Sequence, residues 1–148
     1  MTEHHIIIAA TDEEVAACYP VMAELRPQIS ADEFVERIKH QTQIADYRLA
    51  CLIDSEVKAV AGYRISQNLA WGNFLYVDDL VTRAQDRSRG FGGVLLDWLF
   101  DEAVAHGCAR LELDSGVQRA EAHRFYFSKR MTVTSFHFGR SLNSKSNG

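Results

Sequence analysis

The chain has 148 residues, 47% hydrophobic and 24% charged, with 16 Lys+Arg against 20 Asp+Glu for a net charge of −4. That is the length of one domain able to bury a core, and the composition is ordinary for a soluble protein. The negative balance argues against nucleic acid, which calls for a basic surface, and tilts slightly toward a cationic or neutral substrate.

No apolar run approaches the ~18 residues of a membrane span. The start, Met1-Thr2-Glu3-His4-His5, lacks the basic region of a secretory signal. Cys18, Cys51 and Cys108 are odd in number and far apart, with no C-x-x-C. They read as buried thiols of a reducing compartment, so a cytoplasmic protein is expected.

His5 to Ala10 is a short apolar strand. Thr11-Asp12-Glu13-Glu14 is a capping box opening a helix that Pro20 interrupts and Pro27 helps end. Ser30-Ala31-Asp32-Glu33 is a second box, starting a helix with Phe34 and Ile38 on one face. Strands are expected over Tyr47–Ile53 and Lys58–Ile65, joined by a hairpin turn at Asp54-Ser55-Glu56, and over Phe74–Thr82. The helix from Phe91 is polar only at Asp97, Asp101 and Glu102, so most of its circumference is buried, and Gly107 follows His106 at its natural stop. Arg110–Asp114 is a strand and Arg119–Lys129 a helix, with Ala122, Phe125 and Tyr126 on one face. Thr132–Phe138 alternates as a closing strand. This order predicts an α/β (α+β) domain with one mixed sheet and helices on both faces. The helix from Phe91 is the crossover of a parallel strand pair. A single domain over 1–142 is expected, with a flexible tail over 143–148.

The chemistry concentrates in Arg87-Ser88-Arg89-Gly90-Phe91-Gly92-Gly93. Its glycines let main chain approach a ligand closely. The helix that follows aims unpaired N–H groups and its positive dipole end at the same point, and two arginines offer forked donors for phosphate. A diphosphate cofactor follows. A Walker P-loop is excluded, because no Gly-Lys-Ser/Thr follows, and the dinucleotide G-x-G-x-x-G fails at Leu95.

Arg87-x-x-Gly90-x-Gly92 resembles the Arg/Gln-x-x-Gly-x-Gly/Ala signature of the GNAT superfamily of acetyl-CoA-dependent N-acetyltransferases. The offset from Leu80-Val81 to Arg87 is similar to that family. So is Ala122-His123-Arg124-Phe125-Tyr126, which resembles its Ala-x-x-x-Tyr helix, and Leu113-Asp114-Ser115-Gly116 ahead of it looks like one bacterial subgroup. The element order matches over nearly the whole chain. Two positions depart: Arg119 stands where the family often has Asn, and Arg130-Met131 where it usually has Gly-Phe.

The resemblance implies a mostly antiparallel sheet whose parallel pair, Phe74–Thr82 and Arg110–Asp114, splays open to take acetyl-CoA. Leu80, Val81 and Thr82 would bond the pantetheine arm like an added strand. The N–H groups from Arg87 through Ser88, Arg89, Gly90, Phe91 and Gly92 to Gly93 would wrap the pyrophosphate, with Arg119 a further cofactor contact. Amide formation needs a free amine, a polarised carbonyl and a proton for the leaving thiolate. A primary amine of pKa near 10 needs a base or water relay, and a backbone N–H near Leu80 would polarise the thioester if that strand bulges.

Asp78 and Asp79 lie just before the cofactor contacts. Adjacent strand residues face opposite sides, so without a bulge only one meets the cleft. Polyamine acetyltransferases have a similar acidic pair, whose first member is the proposed base. Asp78 is thus favoured as base through water, with Asp79 in substrate binding; the alternative for each is a solvated or ion-paired carboxylate. By spacing alone Tyr126 reads as a core aromatic between Phe125 and Phe127; the resemblance to the family helix is what implies that it protonates the thiolate. His123 reads as a hydrogen-bonded or surface histidine, and the histidines are too scattered for a metal.

The expected activity is acetyl transfer to a primary amine of a small molecule or peptide, by direct attack in a ternary complex, without metal, membrane or nucleic acid. Homodimerisation is common in the family. The alternative is a catalytically silent acyl-CoA-binding sensor or docking module of the same fold.

Overall fold

The computed structural model describes residues 3–143. The chain forms two compact units, one ending at Leu113 and the other beginning at Asp114.

In the larger unit, β1 (His5–Ile8), β2 (Arg48–Asp54), β3 (Glu56–Asn68), β4 (Gly72–Thr82) and β5 (Arg110–Leu113) form one sheet in sequence order. The first four are antiparallel, and β5 runs parallel to β4. The β2–β3 hairpin turns at Ser55, whose φ is 68°. The capping box at Thr11 opens α1 (Asp12–Ala17): Thr11 Oγ1 accepts the Glu14 N–H at 3.1 Å and the Glu14 carboxylate accepts the Thr11 N–H at 3.0 Å. A proline is tolerated only in a helix's first turn, so Pro20 sets a new start, α2 (Tyr19–Leu25), after a break at Cys18. Ser30 caps α3 (Ala31–Ala45), which stops at Asp46 in the left-handed region.

The helices cover both faces. Val15, Cys18, Val21, Met22 and Phe34 pack with Leu49, Cys51, Val60 and Val81 on one. The opposite set of the strand alternation, including Tyr63, meets α4 (Phe91–Ala105), whose Leu95, Leu96 and Leu99 are fully buried. There Tyr63 lies edge-on to Trp98 and donates to Glu102 at 2.6 Å. Gly107 ends this helix with φ 73°.

The smaller unit carries α5 (Ala120–Ser128). The expected closing strand over Thr132–Phe138 is absent: residues 131–143 have no regular structure, and Val133, Phe136 and Phe138 are exposed. Alternation and β-branching make a segment fit for a sheet, but a strand exists only where its N–H and C=O groups find a ladder. Of the tail expected over 143–148, residues 144–148 lie outside the described residues.

Candidate active site

A 3-10 turn over Ala84–Asp86 leads from β4 into the glycine-rich turn. Ser88 and Gly90 take left-handed φ of 73° and 84°, and α4 begins at Phe91. A serine there is strained by roughly 1 kcal/mol, which the surrounding turn must offset. The first N–H of the helix to find a carbonyl is that of Val94, on Gly90 at 3.1 Å. From Ser88 to Gly93, no main-chain N–H has an acceptor among the described residues. These donors surround the N-terminus of a long helix, the arrangement that binds a phosphate or pyrophosphate. Arg87 departs from the expectation for its backbone, because its N–H is spent on Ala84 O at 3.3 Å.

The two arginines of the turn differ. Arg89 is committed to the protein: Nη1 is 2.8 Å from Asp86 Oδ1, and the guanidinium sits 4.9 Å over the Phe91 ring. The Arg87 side chain is exposed and has no partner among the described residues, so it is the arginine able to reach an anion. Asp86 is the anchor, 4% exposed, with Arg83 Nε at 2.5 Å and Lys58 Nζ at 3.8 Å. Arg83 foremost, with Arg89 and Lys58, holds its carboxyl below the usual carboxylate range. A depressed acid contributes stability above its unfolded pKa, near 4, and loses it as pH falls through the lower folded value. Asp86→Asn should therefore flatten the acid side of a Tm-versus-pH curve; a curve parallel to wild type below about pH 4 would remove this role.

Alongside the turn, β4 has a bare edge. Its pairing with β5 ends at Val77↔Leu113, while its pairing with β3 continues to Thr82↔Ala59. The backbone groups of Leu80, Val81 and Thr82 that point away from β3 have no strand partner among the described residues. An extended ligand can add there as a strand does.

The bulge lies where the two strands part. Gly62 pairs with Asp79 and Tyr63 with Val77, leaving Asp78 as the extra residue of β4. Both carboxylates find partners on the face that carries α2. Asp79 accepts from Arg26 Nε and from the Tyr47 hydroxyl, each at 2.7 Å. Asp78 is gripped by Arg64 through Nε at 2.8 Å and Nη2 at 2.9 Å, and its main-chain carbonyl accepts Arg26 Nη2 at 3.1 Å. Tyr47 crosses Gly62 so closely that a Cβ there would lie 1.6 Å from its hydroxyl. Burial, and then the Asp79 charge, push the Tyr47 phenol pKa up. Arg26, Tyr47 and Arg64 escaped the sequence reading. Gly62, a glycine inside an apolar strand, was the available signal of a close approach.

In the smaller unit, Tyr126 is half-buried on α5 with its ring 5.4 Å from that of Phe125, and burial raises its phenol pKa. Arg119 stands at the N-cap of α5 without a side-chain cap bond. His123 Nε2 lies 2.8 Å from Gly116 O, so it is a hydrogen-bonded histidine. Arg130, where the resemblance leads one to expect glycine, holds a left-handed φ of 64°. Among the described residues no cluster of His, Cys, Asp or Glu could hold a metal, and no helix is long and apolar enough to cross a membrane.

The acetyltransferase (GNAT) family matches residues 8–130. The chain is 35% identical over 140 residues to the uncharacterized N-acetyltransferase YhdJ of Bacillus subtilis, covering 93% of this chain and 99% of the relative. It is 28% identical over 139 residues to an aminoalkylphosphonate N-acetyltransferase of Salmonella typhimurium, covering 90% and 88%. An aminoglycoside N-acetyltransferase solved with CoA superposes with a TM-score of 0.83 at 12% identity, covering 96% and 97%. The chain belongs to the GNAT family of acetyltransferases.

Proposed function

We propose that the protein transfers the acetyl group of acetyl-CoA to a primary amine of a small molecule or peptide, by direct attack in a ternary complex. The observation that carries this reading is the row of unclaimed N–H groups from Ser88 to Gly93 beside the bare β4 edge. A pyrophosphate fits that row and the free Arg87, and an extended amide-bearing arm fits Leu80, Val81 and Thr82. Arg119 is a further contact proposed from the family resemblance. Bound acetyl-CoA supplies the acetyl thioester. The N–H of Leu80, just past the bulge, polarises the thioester carbonyl. Asp78, held in place by Arg64, takes the amine proton through water, and Asp79 orients the acceptor. Tyr126 supplies the proton for the thiolate. The name of the Salmonella relative supports a small acceptor.

Purified protein with acetyl-CoA and a broad amine panel should release free thiol. Tight CoA binding without turnover on any amine would instead favour the silent binding module. Arg87→Ala should raise the KM for acetyl-CoA about 10-fold with little change in kcat, since it loses one exposed charge-assisted phosphate contact. An unchanged KM would place Arg87 outside the cofactor site.

A further inference from the structure

We infer that Arg26 and Arg64 form an oxyanion seat beside the β4 bulge, so that the acceptor is a small primary amine carrying a carboxylate or phosphonate. This names the acceptor class within the acetyltransferase reading above and rests on it. Asp78 follows directly on Val77, the last β4 residue paired with β5, and Arg26 donates to the Asp78 carbonyl. Both guanidiniums are therefore fixed at the head of the bare edge, next to where the thioester carbonyl is proposed to lie.

The hydrogen-bond inventory then favours an anion. A guanidinium has five N–H donors in a planar fork. Arg26 uses Nε and Nη2, and Arg64 uses Nε and Nη2. Among the described residues, neither Nη1 has a partner. The carboxylates are better satisfied and more enclosed. Asp79 already accepts from Arg26 and Tyr47 and is 14% exposed, against 39% for Arg26. Asp78 accepts a two-pronged fork and is 27% exposed, against 34% for Arg64. What faces the solvent with open valence is mainly donor.

The seat is also preorganised. Arg64 is held by its fork on Asp78 and by the Tyr76 ring, 5.3 Å from its guanidinium. Arg26, the C-cap residue of α2, is tied to a main-chain carbonyl as well as to Asp79. Little side-chain entropy is left to lose on binding. Two arginines against two aspartates leave the cluster neutral, which suits an acceptor that carries both an amine and an acid. A diamine would set its second ammonium against two guanidiniums. The net charge of −4 tilts the sequence reading slightly toward cationic acceptors, but contact groups outweigh a diffuse, salt-screened surface charge.

The test compares propylamine, 3-aminopropanoate, 2-aminoethylphosphonate and 1,3-diaminopropane as acceptors, read by thiol release. The acid-bearing amines should exceed propylamine in kcat/KM by about 100-fold, and the diamine should show no advantage. Comparing the carboxylate with the phosphonate shows which oxyanion the seat takes. Arg26→Gln and Arg64→Gln should each cut the acid-to-neutral ratio about 10-fold, and Arg64→Lys should keep part of it. The ratio is read, rather than the rate, because Arg64 also holds Asp78. CoA affinity, measured by calorimetry, should stay at the wild-type value and report intact folding. Equal use of propylamine, a preference for the diamine, or an unchanged ratio in both variants would overturn the seat. If no amine is acetylated, the transferase reading fails separately, and the seat is read by calorimetric binding of 2-aminoethylphosphonate with CoA present. Binding by wild type and its loss in the Arg26→Gln/Arg64→Gln double variant would support the seat, and no binding by wild type would overturn it.

Discussion

Tyr126→Phe is expected to lower kcat by roughly 10²- to 10³-fold while leaving CoA affinity unchanged, the usual cost of deleting a positioned proton donor. The substitution removes one oxygen and keeps the ring that packs 5.4 Å from Phe125, so α5 should retain its form. The direction of the phenol's pKa adds a second readout. Burial raises it above its ordinary value, against a smaller opposing effect of Arg119. A raised phenol pKa keeps the acid form present throughout the neutral range and moves its loss further into alkali. The wild-type kcat should then hold through neutral pH and fall only on the far alkaline side, and the Phe variant should lack that fall. Equal turnover in the variant, or a matching alkaline limb, would take Tyr126 out of the mechanism.

The parts legible in the sequence are those written in local chemistry. Thr11 with Glu14 and Ser30 with Glu33 announce helix starts because a cap is satisfied within three residues. Pro20 and Gly107 mark boundaries for equally local reasons, and Gly90 sits where the turn needs a left-handed residue. The parallel pair was legible because a long helix between two strands leaves few other topologies. Long-range pairing was not legible. Arg26 finds Asp79 across 53 positions, and Tyr47 finds it across 32, with no spacing rule linking such residues. A bulge in this strand entered only as a condition drawn from the family resemblance; its place at Asp78 and its effect of engaging both carboxylates on one face were not legible. Thr132–Phe138 shows the opposite failure. Its alternation is a property of the segment, whereas a strand is a property of a pair. The acceptor class was likewise hidden, because it depends on which guanidinium donors remain unused after the fold has taken its share.

Gly62→Ala is expected to destabilise the protein by about 3 kcal/mol, lowering Tm by roughly 6–12 °C for a chain of this length. No positive φ is involved. The added Cβ would lie 1.6 Å from the Tyr47 hydroxyl oxygen and 2.2 Å from Cζ, so the ring must leave its place. Tyr47 is 3% exposed, in a core where volume cannot easily be redistributed. Displacing it also removes the 2.7 Å bond to Asp79, leaving Arg26 as that carboxylate's side-chain partner. Gly90→Ala is the control, since its Cβ meets nothing within 4 Å and only the φ of 84° opposes it. That backbone cost is about 1 kcal/mol, so the two glycines separate a steric cause from a conformational one. Tyr47→Leu supplies the decisive cross, because it removes the ring tip that the new methyl would strike. In the Gly62→Ala background it should cost much less than it does alone, giving a coupling of about 1–3 kcal/mol in chemical denaturation. Additive losses would mean that Gly62 is required for some reason other than the passage of Tyr47. The fate of Asp79 would then have to be sought in Arg26 alone.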